Sequence, residues 1–147
     1  MRHSTERVKL DANKQMEVSR HLSHLLVLSA DLSKNVFAEI AGSLNLPVHL
    51  ARAVLLLDEP APMGDLSQKL ACDKSYITQL ADQLEELELI ERVPGADRRT
   101  KLLALTASGK TLRSELAKSA GSKSPIMKAL NEHEREQLAT LLGKILA

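Results

Sequence analysis

The sequence predicts a mainly α-helical chain with one small β-hairpin, and three observations carry that prediction. Two apolar-periodic stretches between Asp65 and Leu87 are separated by Ala71-Cys72-Asp73, a three-residue turn of helix-turn-helix length. Ile90-Glu91-Arg92-Val93, which alternates as an edge strand should, and the returning strand Leu102–Leu105 flank a turn at Pro94-Gly95-Ala96-Asp97 and a basic run after it. Aromatic residues make up 1% of the sequence, only Phe37 and Tyr76, so the core is aliphatic and leucine fills it.

In chain order, residues 1 to about 12 are polar and are expected to fray. A long helix is predicted from about Asn13 to Ala41. Its stripe runs through Leu22, Leu25, Leu28 or Ser29, Leu32, Val36 and Ile40, with Leu26 and Phe37 beside it. So wide a stripe needs more partner surface than one neighbour offers. Residues Gly42 to Leu46 break the helix, and Pro47 restarts one in a first turn where its missing N–H costs nothing. Leu50, Ala53, Val54 and Leu57 then face inward, and Asp58 to Pro62 ends that helix.

The central helix pair follows, from Asp65 to about Ala71 and from Lys74 to Leu87. Asp73 is placed to cap the second helix by accepting from its first unpaired N–H groups. Ile77, Leu80, Ala81, Leu84 and Leu87 recur at helical spacing and face a core. Lys74, Ser75, Tyr76, Thr78 and Gln79 occupy the other face near the N-terminus, whereas Asp82, Glu85, Glu86 and Glu88 all come later. A helix pushed N-terminus first into a polyanion carries its charges in this order. Periodicity alone favours an ordinary amphipathic helix with a polar N-terminus. The hairpin adds the second argument, because Arg92, Arg98, Arg99 and Lys101 stand there against one anion, Asp97.

Thr106 is placed to cap a helix that carries Leu112 and Leu116 and fades through a flexible join at Ser119 to Ser122. A last helix starts near Asn131, which stands in capping-box spacing with Glu134. Leu138, Leu141, Leu142 and Ile145 form its stripe.

The run LIERVPGADRRTKLLALTASGK, preceded by DLSQKLACDKSYITQLADQLEELEL, resembles the MarR family of winged helix-turn-helix transcriptional regulators. Leu89-Ile90-Glu91-Arg92, the Asp97-Arg98-Arg99 tip, and Leu105-Thr106 followed by Gly109 carry the resemblance, which covers about residues 20 to 146. One position departs: the family ends its recognition helix with Gly, and here that position is Glu88. A left-handed Glu there costs roughly 1 kcal/mol, or the join differs locally.

The resemblance implies a winged helix-turn-helix fold in an intertwined helical dimer. Residues 1–46 and 107–147 would supply dimerisation helices, and residues 47–106 the DNA-binding lobe, within one continuous domain. It implies a homodimer on palindromic double-stranded DNA, most simply a repressor, with half-sites ~10 base pairs apart. It also implies a small, often phenolic, effector that releases DNA. Gln79 is the sharpest candidate base reader, since its amide can bind adenine at two points in the major groove. Ser75, Tyr76 and Thr78 are placed for phosphates or bases, Lys74 for a phosphate, and Ser67 and Gln68 for the backbone. Arg99 would enter a narrow minor groove, where negative potential attracts it, while Asp97 braces Arg98.

Other classes are less well served. A formal net charge of +1 supplies no global pull toward nucleic acid, so attraction must be local. The single cysteine excludes an internal disulfide and suits a reducing cytoplasm. No apolar run is long enough to span a bilayer. No nucleophile motif, phosphate-cradling glycine loop or metal pair argues for an enzyme or a resident cofactor. Cys72 reads as a small apolar plug of the turn, with peroxide sensing as its sharper alternative. His21 and His24, three apart, read as surface residues, with metal sensing as theirs. A winged-helix protein adaptor whose basic wing meets an acidic partner is the competing class.

Overall fold

The computed structural model describes residues 2–97 and 99–147, with side chains from residue 11 onward. It contains α1 (Arg2–Ser43), α2 (Val48–Leu56), β1 (Ala61–Pro62), α3 (Met63–Leu70), α4 (Lys74–Glu86), β2 (Ile90–Pro94), β3 (Lys101–Leu105), α5 (Ala107–Lys123), α6 (Pro125–Ala129) and α7 (Glu132–Leu146). The chain divides into two compact units, residues 1–35 and 36–147. The first unit is one helical stretch. Its Leu22, Leu25, Leu26, Leu28 and Leu32 are all exposed.

The second unit holds the core. Ile40 and Ala41 from the end of α1, Leu50 and Val54 from α2, Leu66 from α3, and Ile77, Leu80 and Leu84 from α4 are buried together with Ile90, Leu103, Leu105 and Leu116. Among the described residues no polar or charged side chain is buried. Each fully buried leucine contributes about 2 kcal/mol, against roughly 0.2–1 kcal/mol for an exposed ion pair. The aliphatic spacing therefore sets the fold.

Three helices end in the same way. The N–H groups of Asn45 and Leu46 return to the carbonyls of Gly42 and Ala41, those of Ala71 and Cys72 to Gln68 and Ser67, and those of Glu88 and Leu89 to Glu85 and Leu84. This is the Schellman pair of bonds, which needs a left-handed residue just beyond the helix. Asn45, Ala71 and Glu88 occupy that conformation at φ of 55°, 52° and 59°. None is glycine. The position where the sequence departs from the family pattern is thus left-handed after all, with Glu bearing the cost.

Several boundaries differ from the expectation. The first helix begins at Arg2 rather than near Asn13. Pro47 is the N-cap of α2, not its first helical residue. Leu87, expected inside, follows the last residue of α4 and is half exposed. The expected join at Ser119 to Ser122 is helix, since α5 continues to Lys123. Gly121 alone costs about 1 kcal/mol in a helix, too little to stop it before Pro125. Ser124 then caps α6, with Pro125 in the first turn. The hairpin is extended to three strands in the order β1-β3-β2, with Ala61 opposite Leu103 and Pro62 opposite Leu102. Proline is tolerated there because β1 is an edge strand.

Candidate nucleic-acid interface

The turn between α3 and α4 is locked before any side chain is offered outward. Asp73 caps α4 by accepting the Tyr76 N–H at 2.9 Å and the Ser75 hydroxyl at 2.8 Å. The Tyr76 N–H, and then Ser75, hold its carboxyl below the usual carboxylate range. Ser67, expected on the DNA backbone, is half-buried and donates its hydroxyl to the Cys72 carbonyl at 2.5 Å. It closes the turn, so its donor is already committed. Cys72 itself is half-buried against the core, as an apolar plug would be.

From this turn the first two helical turns of α4 expose Lys74, Ser75, Tyr76, Thr78 and Gln79. The Thr78 hydroxyl donates to the Lys74 carbonyl at 2.9 Å, leaving an acceptor outward. The side chains of Gln79 and Gln68 are exposed and make no hydrogen bond among the described residues. Burial of Ile77 and Leu80 fixes which face these residues share.

The hairpin pairs Ile90 with Leu105 through Pro94 with Lys101. At its tip the Gly95 N–H donates to the Thr100 carbonyl at 2.7 Å and the Thr100 N–H to the Asp97 carbonyl at 3.0 Å. The Asp97 carboxylate accepts the backbone N–H of Arg99 at 3.3 Å. Through this bond it braces the turn. Arg98 lies outside the described residues, so that half of the expectation has no counterpart here. Arg99 and Lys101 are exposed and carry no ion pair among the described residues.

Arg92 differs from the other hairpin cations. Its Nη2 reaches Asp82 at 2.6 Å and its Nε reaches Glu85 at 3.0 Å, both carboxylates belonging to α4. It belongs to the basic tip by sequence, but its charge is already matched. The arginine and the two acids were all visible in the sequence. Their pairing was not, because it depends on the turn through Glu88. On another side of α4, His49 of α2 meets Gln83 at 3.0 Å. His21, His24 and His133 are exposed. No group of three or more metal-ligating side chains occurs among the described residues.

The arrangement is a short helix–turn–helix, an exposed polar helix start, and a basic hairpin beside it. It superposes on solved bacterial regulators. A cysteine-to-serine mutant of Escherichia coli MarR, complexed with operator DNA, is similar at 21% identity and a TM-score of 0.70, over 86% of this chain and 94% of that one. The Staphylococcus aureus MepR–DNA complex matches at 22% and 0.70, over 84% and 95%. A probable transcriptional regulator from Pseudomonas aeruginosa matches at 24% and 0.67, over 84% and 95%. The chain has the MarR fold.

No protein-family model and no curated protein matches the sequence. The MarR fold expected from the Asp97-Arg98-Arg99 tip and the Leu105-Thr106 strand end is thus established by shape, at low sequence identity. No described helix is long and apolar enough to cross a membrane.

Proposed function

We propose that this chain is a sequence-specific transcriptional regulator that binds palindromic double-stranded DNA as a homodimer. One observation carries the reading: the start of α4 exposes Lys74, Ser75, Tyr76, Thr78 and Gln79 with no carboxylate beyond the capping Asp73, beside a hairpin whose Arg99 and Lys101 have no ion pair among the described residues. An N-terminal helix turn of this composition suits the major groove, and a basic hairpin suits the adjacent phosphates and minor groove. The MarR and MepR complexes with DNA are a precedent for the fold.

The homodimer is supported by apolar side chains that the chain leaves exposed, among them Leu22, Leu25 and Leu32 on α1 and Leu141 and Ile145 on α7. Large apolar side chains left exposed along a helix, on α1 and separately on α7, suit burial against a partner. A repressor released by a small organic effector is the simplest regulatory scheme. A shallow groove of about 490 Å³, lined by Leu89 and by Ala107, Ser108, Thr111, Leu112 and Glu115 of α5, is a place for such a molecule. Function as a regulator needs no catalytic group.

Selection from a random duplex library, followed by sequencing, tests the proposal. A palindromic consensus bound by a dimer in sedimentation is the expected result. Retention without any enriched sequence would exclude a sequence-specific regulator.

A further inference from the structure

We propose that Arg92 is a positioning residue that fastens the hairpin to the recognition helix, so that both DNA-contacting elements move as one body. The inference rests on the DNA-binding reading above. Arg92 sits on β2, and its two guanidinium contacts reach two acids on α4, Asp82 at 2.6 Å and Glu85 at 3.0 Å. The acids are three apart, hence neighbours on one helix face. One side chain therefore holds two points along the helix, which fixes direction as well as distance. The strand it comes from leads straight to the tip that carries Arg99.

The fork also changes what α4 presents. Asp82 and Glu85 follow Gln79 by less than two helical turns and are half exposed. Two uncompensated carboxylates there would repel phosphates. Arg92 holds them in ion pairs, at the cost of its own availability to DNA. On another side His49 hydrogen-bonds to Gln83. The second half of α4 is thus braced from α2 and from β2, while its first half stays open to a partner.

Positioning separates from direct contact and from mere charge compensation. The variants are Arg92→Gln, Arg92→Lys and the triple Asp82→Asn/Glu85→Gln/Arg92→Gln. Each is titrated by anisotropy on the duplex selected by the parent and on a scrambled duplex, over a salt series. Arg92→Gln is expected to lose roughly tenfold on the selected duplex, the scale of two exposed pairs, and much less on the scrambled one. Its salt slope should stay that of the parent, because no phosphate contact is removed. Arg92→Lys should fall between, reaching one acid. The triple variant should stay weak. A slope flatter by about one unit would make Arg92 a phosphate contact, and parental affinity in the triple variant would reduce it to charge compensation; either overturns the proposal. Backbone ¹⁵N relaxation without DNA is the second readout. Gly95 and Thr100 should gain mobility in Arg92→Gln while α5 does not, and unchanged tip dynamics would also overturn it. If the parent selects no duplex, the DNA-binding reading fails, and relaxation still decides whether Arg92 fastens the hairpin. Should Arg92→Gln not fold, Arg92→Lys carries the same comparisons.

Discussion

The Thr106 hydroxyl donates to the carbonyl of Glu88 at 2.6 Å, across eighteen residues of chain. The same oxygen accepts the Gly109 N–H and so caps α5, while the Thr106 N–H donates to the Leu89 carbonyl. One threonine thus ties the end of α4 to the start of α5, with the whole hairpin looped out between them. The join it secures is the one where Glu stands in a left-handed conformation.

Replacing that residue relieves the strain without touching the bonds, since Thr106 meets the backbone of Glu88. Glu88→Gly is expected to stabilise the fold by ~1 kcal/mol. Ala71→Gly should gain a similar amount, because Ala71 closes α3 with the same geometry. Asn45→Gly should gain little, since Asn tolerates the left-handed region. Thermal melts at one fixed protein concentration check the series. A Glu88→Gly melt lower than the parent would contradict the strain assigned to that join.

Gly109 is required for a different reason. A Cβ built there would lie 2.1 Å from the Leu89 carbonyl oxygen, which is backbone and already accepts from Thr106. Gly109→Ala therefore has to push α5 off the strand join, and a loss of ~3 kcal/mol is expected from such overpacking. Urea unfolding monitored by circular dichroism measures it.

The cap of α4 gives a pH dependence with a definite sign. The Asp73 carboxyl is held below its ordinary range by the Tyr76 N–H and the Ser75 hydroxyl. A group depressed in the folded state adds stability above its unfolded pKa and loses it as pH falls through the folded one. Comparing Asp73→Asn with the parent isolates the charge, because Asn also caps. The difference in melting temperature should be constant above about pH 5 and should close only as pH falls below the ordinary aspartate value near 3.9, toward the depressed folded one. A difference that does not change with pH would show the charge to be irrelevant to the cap.

What was legible followed from local chemistry. The Asn131–Glu134 capping box, the Asp73 cap and the buried Ile77-Leu80-Ala81-Leu84 stripe each need only residues three or four apart, and each is present. What was missed needed contacts made far along the chain. The strand at Ala61–Pro62 is two residues long and holds only because Leu102 and Leu103 arrive beside it. Ser67 reads as a surface contact in the sequence because its acceptor is a carbonyl beyond the turn. Arg92 looked like part of the tip because Asp82 and Glu85 meet it only after the chain reverses.

Deleting residues after Ser124 tests the dimer. α7 contributes no buried residue to its own chain, and Leu141, Ile145 and Leu146 are exposed. The truncated chain should therefore keep a folded core and lose its partner. Sedimentation equilibrium is expected to give a monomer, with helical circular dichroism retained in proportion to length. A persisting dimer would remove α7 from the interface.

How DNA is read sets Gln79 against Arg99. Gln79 projects from a helix held rigid by Ile77 and Leu80, and its amide has no other partner among the described residues, so it can commit to one base edge. Arg99 stands on a turn fixed by Asp97, and its charge acts on phosphates and on the minor-groove potential whatever the sequence. Arg99→Ala should weaken selected and scrambled duplexes alike and flatten the salt slope by about one unit. Gln79→Ala should leave the scrambled duplex nearly unchanged and cost ~1–3 kcal/mol on the selected one, concentrated at a single base pair. Anisotropy with both variants, both duplexes and a salt series separates these outcomes. If Arg99→Ala binds like the parent, the hairpin does not touch DNA. If Gln79→Ala keeps the parental preference at every position, base reading belongs to another of the residues exposed beside it, Tyr76 or Thr78.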